Sequence, residues 1–241
     1  LRALMRPLAY TLLPAVLVLM EPDLGTSLVI CGIGLSVMLF EGVHTRSFLT
    51  LMGVIFLLFP LAWKFNIIRS YQKARVQLWL GVEPDGADWK EKHSIIIQKT
   101  LQPQRARWSI GSGKFSGKGA RKGSRIRLKY LPEMHTDFVV ASLAEEYGFL
   151  GCSFMLFLFF LYVSWCIRMA QNATDRFGSL ASFGLASMVA IQVFVNLGMV
   201  TGVLPVVGVT LPLFSYGGSS LVACMAGFGI ILSAARSKGS L

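Results

Sequence analysis

The sequence predicts an all-α, polytopic transmembrane helical bundle with one large basic extracytoplasmic loop. Of its 241 residues, 54% are hydrophobic and only 15% charged, and the mean hydropathy is +0.61. Those values lie far from the composition of a soluble globular domain. The apolar residues gather in six long segments. The charge gathers elsewhere: 16 of the 23 Lys and Arg fall between Lys64 and Thr136, a stretch with net charge +11 that leaves the remainder of the chain neutral.

In order, the segments run from about Pro7 to Met20, Leu24 to Phe40, Phe48 to Phe65, Phe138 to Met169, Leu180 to Val200 and Leu211 to Ala235. The first two are near the short limit for crossing a hydrocarbon core about 30 Å thick, and both are read as spans. A signal peptide over Arg2 to Met20 is disfavoured, because no small-residue cleavage site precedes Glu21-Pro22 and another apolar segment follows at once. The fourth segment is too long for one simple span, and Gly148 and Gly151 within it predict a bend or break. Residues 1–63 thus hold three spans, 64–136 an extracytoplasmic loop, and 137–241 three more spans, the first of them long and broken.

Short-loop charge sets the orientation. Arg2, Arg6, Arg46, Arg168, Arg176, Arg236 and Lys238 fall on one side of the six spans, while Glu21 to Asp23 and Thr201 to Thr210 carry no basic residue. Both ends of the chain are therefore expected in the cytoplasm. Long loops translocate largely regardless of charge, so the basic loop is placed outside. Anionic headgroups or a phosphate-bearing lipid are the expected partners of its charge. Nucleic acid is not, since no recognition-module signature appears. Trp79, Trp89 and Trp108, spaced among charges, predict amphipathic interfacial helices in parts of Tyr71 to Leu128.

Within the loop, Gly111-Ser-Gly-Lys114-Phe-Ser-Gly117-Lys118-Gly119 offers backbone N–H groups beside ammonium groups, an arrangement that can cradle phosphate. It matches neither a P-loop nor a dinucleotide fingerprint, and a flexible turn is an equal reading. Cys31, Cys152, Cys166 and Cys224 lie within apolar segments without CxxC spacing, and His44, His93 and His135 show no metal-ligand spacing. Neither a disulfide nor a structural metal is predicted.

The carboxylates are more selective. Asp23 has the pattern of a helix N-cap, leaving Glu21 freer to face a substrate. Glu145 and Glu146 at membrane depth call for a cavity or a partner, or else mark the break at Gly148 and sit in water. Asp137 begins an apolar helix, so capping is one reading. The other rests on its setting: Glu133, His135 and Asp137 crowd just after Arg125, Arg127 and Lys129. A carboxylate at a membrane surface flanked by cations can act as general base while the cations stabilise a departing phosphate.

Tyr130-Leu-Pro-Glu-Met-His-Thr-Asp-Phe138, continuing into Ala144-Glu-Glu-Tyr-Gly148, resembles the signature of the SEDS family of RodA, FtsW and SpoVE proteins. Three further blocks in the right order carry the same resemblance: Glu21-Pro-Asp-Leu-Gly-Thr26, Tyr71-Gln72 with Arg75, and Leu211-Pro-Leu-Phe-Ser-Tyr-Gly-Gly-Ser-Ser220. Asn196 to Gly208 looks more like the RodA branch, used in cell elongation and shape maintenance, than the branch used in division. The Lys90 to Trp108 segment departs from the family pattern, being longer and more basic than usual.

The resemblance implies the last six of about ten spans of a bacterial inner-membrane protein, so that this portion is expected to lack part of the substrate cavity. It implies a peptidoglycan glycosyltransferase that polymerises lipid II and releases undecaprenyl diphosphate, with a class B penicillin-binding protein, a transpeptidase, as partner. The family's essential aspartate falls on Asp137, as general base. Substrate-binding candidates are Glu21, Arg75, Lys118, Lys129, Glu133 and His135, with Arg75, Lys118 and Lys129 or a divalent cation set against the leaving diphosphate. Tyr216, Gly217, Gly218 and Ser219 are expected to pack closely near the outer face. Two other readings stay open: a flippase for lipid-linked precursors, and a noncatalytic membrane scaffold of the elongation or division machinery.

Overall fold

The computed structural model describes residues 2–21, 23–43, 47–50, scattered positions between 53 and 82, 94–120, 122 and 136–236. The third apolar segment therefore lies outside the described residues except for isolated positions. No strand occurs among the described residues. Six helices are described end to end: α1 (Arg2–Met20), α2 (Leu24–Phe40), α3 (Ser94–Gly113), α4 (Val139–Asn172), α5 (Arg176–Thr201) and α6 (Gly218–Arg236).

Local chemistry sets several ends. Asp23 caps α2, its Oδ1 accepting from Thr26 N at 3.1 Å, as the sequence predicts. Asp175 caps α5 in the same way through Gly178 N at 2.8 Å. At the other end of α5, Gly202 takes the left-handed conformation of a C-terminal stop. The last helix starts later than the apolar run that begins at Leu211. Residues 205–217 are not helical, because Pro205 and Pro212 bring no N–H to a helical ladder and the Ser215 hydroxyl accepts the Leu211 N–H at 2.8 Å.

The helices pack as an antiparallel series. The Ser27 hydroxyl of α2 donates to Ala15 O of α1 at 2.9 Å within a buried contact, and the Gly34 α-carbon presses on the Thr11 side chain. Phe40 of α2 stacks on Phe183 of α5 with ring centroids 4.1 Å apart, next to an ion pair between Glu41 and Arg176. Phe138, Val140, Met155 and Phe159 of the α4 region join Val189, Val193, Met199 and Val200 of α5 in the main core. Phe228 of α6 stacks on Trp165 of α4.

Polarity is arranged for a bilayer. Phe154, Phe157 and Phe160 of α4 and Leu13 and Leu17 of α1 point outward, while Glu145, Ser182 and Asn196 are buried. In water that distribution would expose a broad apolar surface; in lipid it hides the polar groups. By length and composition α4 and α5 can each cross a membrane, and Met5–Met20, Leu24–Phe40 and Gly218–Ser233 are shorter apolar helices.

The break in α4 falls at Gly148, with φ 66° and ψ −159°. Breaking a helix bares carbonyls before the break and N–H groups after it, and in an apolar surrounding each must be paired. Residues 114–119 supply the partners. Lys118 N and Gly119 N donate to Glu145 O and Glu146 O at 3.0 and 2.9 Å, while Phe149 N and Leu150 N donate to Lys114 O and Phe115 O at 3.0 and 3.1 Å. The glycine-rich run is thus a plug docked on the kink, neither a free turn nor an open phosphate cradle. The helix before it, α3, packs on α4 and α5 with Ala106 and Ser109 buried and Trp108 exposed.

Only glycine suits position 148, since its φ/ψ is closed to side chains and a Cβ there would meet Gly117 N and Phe115 O. Gly148→Ala is expected to destabilise the protein by about 1–3 kcal/mol through the backbone alone. A thermal melt in detergent checks this, and an unchanged midpoint would refute the account of the plug.

Candidate active site

One end of the bundle brings together the described parts of three of the distinctive sequence blocks. Gly25, at the start of α2, abuts the Val207 carbonyl and the Val209 side chain, where a Cβ would collide. This brings the start of α2 against the 205–211 segment. That segment runs beside Asp137: a Cβ built on Gly208, whose φ is +78°, would lie 3.7 Å from Asp137 Oδ2.

The backbone bearing Asp137 is held from two directions. Asn196, fully buried in α5, donates through Nδ2 to both Asp137 O at 2.9 Å and Val209 O at 2.7 Å. The Ser215 hydroxyl donates to Thr136 O at 2.6 Å. Phe138, the next residue, is fully buried in the core. Asp137 itself is partly exposed. It stands one residue outside the cap position of α4, which is Phe138 and carries no side-chain cap.

The other sequence candidates distribute unevenly. Glu21 is exposed at the end of α1, its N–H donating to Val18 O at 3.0 Å, and α1 ends where α2 begins, at the Asp137 end. Lys118 is engaged in the plug: its Nζ lies 2.7 Å from Glu145 Oε1 and 2.9 Å from Ser112 Oγ. Glu145 is fully buried, so the carboxylate at membrane depth has a partner rather than a bath of water. Arg75, Lys129, Glu133 and His135 lie outside the described residues.

Other residues at this end were missed by sequence reasoning. Asn196 and Ser215 anchor the Asp137 backbone, and the signal for Asn196 was an amide side chain within an apolar helix. Arg107 of α3 sets its guanidinium against Gly202 at the C-terminus of α5, where the helix dipole favours a cation. Trp79 Nε1 donates to Gly202 O at 3.1 Å. At the start of α6 the described residues do not pack closely on the glycines: Gly218 has open space around its α-carbon among them and Tyr216 is exposed. Among the described residues no group of three or more His, Cys, Asp or Glu could hold a metal ion.

The arrangement is a partly exposed carboxylate with a fixed backbone, at the end of an apolar bundle where blocks distant in sequence meet. The family model for FtsW, RodA and SpoVE, described as a cell cycle protein, matches residues 1–240. The chain belongs to this family. Among relatives of the FtsW/RodA/SpoVE family, the peptidoglycan glycosyltransferase MrdB of Escherichia coli K12 is 41% identical over 223 residues, covering 92% of this chain and 57% of that protein. Stage V sporulation protein E of Bacillus subtilis 168 is 35% identical over 225 residues, covering 91% and 56%. The chain spans a little over half the length of these curated relatives.

Solved family structures agree on the fold, a polytopic membrane bundle. A structure of a peptidoglycan synthase complex, described as coordinating polymerization and crosslinking, superposes with TM-score 0.75 at 33% identity, over 98% of this chain and 62% of the other. The rod shape determining protein RodA of Thermus thermophilus superposes with TM-score 0.58 at 28% identity, over 95% and 55%.

Proposed function

We propose that the protein is a peptidoglycan glycosyltransferase that polymerises lipid II during cell-wall elongation, with Asp137 as general base. The observation that carries this reading is the position of Asp137: partly exposed, its backbone fixed, at the end of the bundle where described parts of three of the family's blocks meet. Membership of the FtsW/RodA/SpoVE family and relatives named peptidoglycan glycosyltransferase support it.

In the reaction, Asp137 takes the proton of the acceptor sugar's 4-hydroxyl as that oxygen attacks the anomeric carbon of the donor. The anomeric carbon inverts, its bond to the phosphate oxygen breaks, and undecaprenyl diphosphate carries away the electron pair. Negative charge builds on the diphosphate, so a nearby cation lowers the barrier. Arg107 is a described cation at this end, and Arg75 and Lys129 are proposed from sequence for the same task. Glu21, Glu133 and His135 are proposed to meet the sugars. A divalent cation can serve beside them. The polyprenyl tails are proposed to lie against the apolar flanks of the bundle.

The short-loop arginines Arg6, Arg168 and Arg176 fall at the end opposite Asp137, which supports a reading with the carboxylate at the outer face of the bacterial inner membrane. A transpeptidase partner is proposed by analogy with the synthase complex that the fold resembles.

The test is the complete protein in detergent micelles with its transpeptidase partner and lipid II. Micelles have no second leaflet, so a flippase has nothing to do there and a scaffold makes no product. Glycan strands with released undecaprenyl diphosphate are expected; their absence from a folded, assembled complex overturns the reading.

A further inference from the structure

Two consecutive peptide carbonyls, Thr136 O and Asp137 O, are each held by one side chain from a different part of the chain. Ser215 belongs to the turn before α6; Asn196 lies inside α5, more than one turn before its end. Each side chain also ties down the segment between them, Asn196 through Val209 O and Ser215 through Leu211 N. The carboxylate therefore projects from a peptide whose place is set by hydrogen bonds and by the burial of Phe138, with no second charge at either anchoring side chain.

We propose that Asn196 and Ser215 are positioning residues that hold the Asp137 carboxylate in register with its substrate. The inference rests on Asp137 being the general base. A bidentate amide inside an apolar helix is costly to keep, because Asn196 Oδ1 is buried without a hydrogen-bond partner. Packing alone would be served better by leucine. What leucine cannot do is bond two carbonyls at once and fix the distance between the peptide of residue 137 and the 205–211 segment that flanks the carboxylate. General-base catalysis depends on that distance, since the base must come within hydrogen-bond reach of the proton it removes.

The experiment measures polymerisation by the complete protein with its partner, for Asn196→Leu, Ser215→Ala, Ser215→Thr and, in parallel, Asp137→Asn. Displacing a reacting group by about 1 Å costs on the order of 10²-fold, so Asn196→Leu is expected to lower kcat by roughly that factor with little change in KM for lipid II. Ser215→Ala, which loses one bond rather than two, is expected to lower kcat about tenfold. Ser215→Thr keeps the hydroxyl and should recover most of the loss. If Asn196→Leu fails to fold, the Ser215 pair decides alone.

Three outcomes overturn the proposal: kcat retained within about threefold in Ser215→Ala, kcat and KM moving together, or no recovery with threonine. Activity surviving in Asp137→Asn removes the general-base reading itself. Loss in Asp137→Asn with full kcat in Ser215→Ala and in folded Asn196→Leu removes only the positioning role.

Discussion

Asp137→Asn is expected to lower lipid II polymerisation by about 10²–10⁴-fold, the usual contribution of a general base. The amide keeps the shape of the carboxylate but cannot accept the hydroxyl proton. The described bonds at this position survive the substitution. The bonds that place this residue run through its backbone carbonyl and that of Thr136, and the neighbouring Phe138 remains buried. The variant should therefore accumulate normally, assemble with its transpeptidase partner and bind lipid II with little change in KM. A product assay and a pull-down on the same preparation check both halves. Polymerisation at the parent rate would leave the carboxylate without a catalytic role; failure to assemble would make Asp137 a structural residue.

Lys118→Met is expected to destabilise the protein by about 3–5 kcal/mol, the range for removing one partner of a buried ion pair. Glu145 is fully buried and its carboxylate lies 2.7 Å from the Lys118 ammonium, so the substitution strands a charge at membrane depth. The lower end of the range applies, because the Lys118 side chain keeps 30% of its exposure and water can reach the ammonium. Combining Lys118→Met with Glu145→Leu removes both charges and should restore much of the lost stability, as apolar replacements of buried pairs often do. Melting midpoints of the three variants in detergent give the comparison. A diphosphate-binding role for Lys118 has a different signature: an unchanged melt in Lys118→Met, with KM for lipid II raised.

The elements legible in the sequence were those decided by local chemistry. The Asp23 cap and the Gly148 break follow from residue type within one helical turn. Apolar runs located α1, α2, α4 and α5 to within a few residues. The start of α6 was misjudged by seven residues, Leu211 against Gly218, because hydropathy does not register the prolines and the serine that divert the chain. The site was harder to read. Asp137 stood out through its block, but its anchors are 59 and 78 residues away in sequence, and no periodicity reports a bond over that span. Lys118 looked like a phosphate ligand because its loop is basic and glycine-rich. Its pairing with Glu145, 27 residues on, depends on the plug meeting the kink, which is a tertiary event.

The docking of residues 114–119 on the broken helix bears on how the loop can vary. Beside the Lys118–Glu145 ion pair, its fastening is made of peptide groups: four main-chain hydrogen bonds, with Gly113, Gly117 and Gly148 admitting the close approach. The side chains of Lys114, Phe115 and Ser116 are exposed and take no part in those bonds, although the Phe115 ring stacks on Phe149 just past the break. In a saturation library of this stretch, position 116 should therefore accept diverse replacements, 114, at φ 51°, should disfavour β-branched ones, and 115 should favour aromatic ones, whereas 113, 117 and 148 should reject nearly all. The run is a template written chiefly in chain geometry, and the charge of its conspicuous lysine at 114 is a passenger on it.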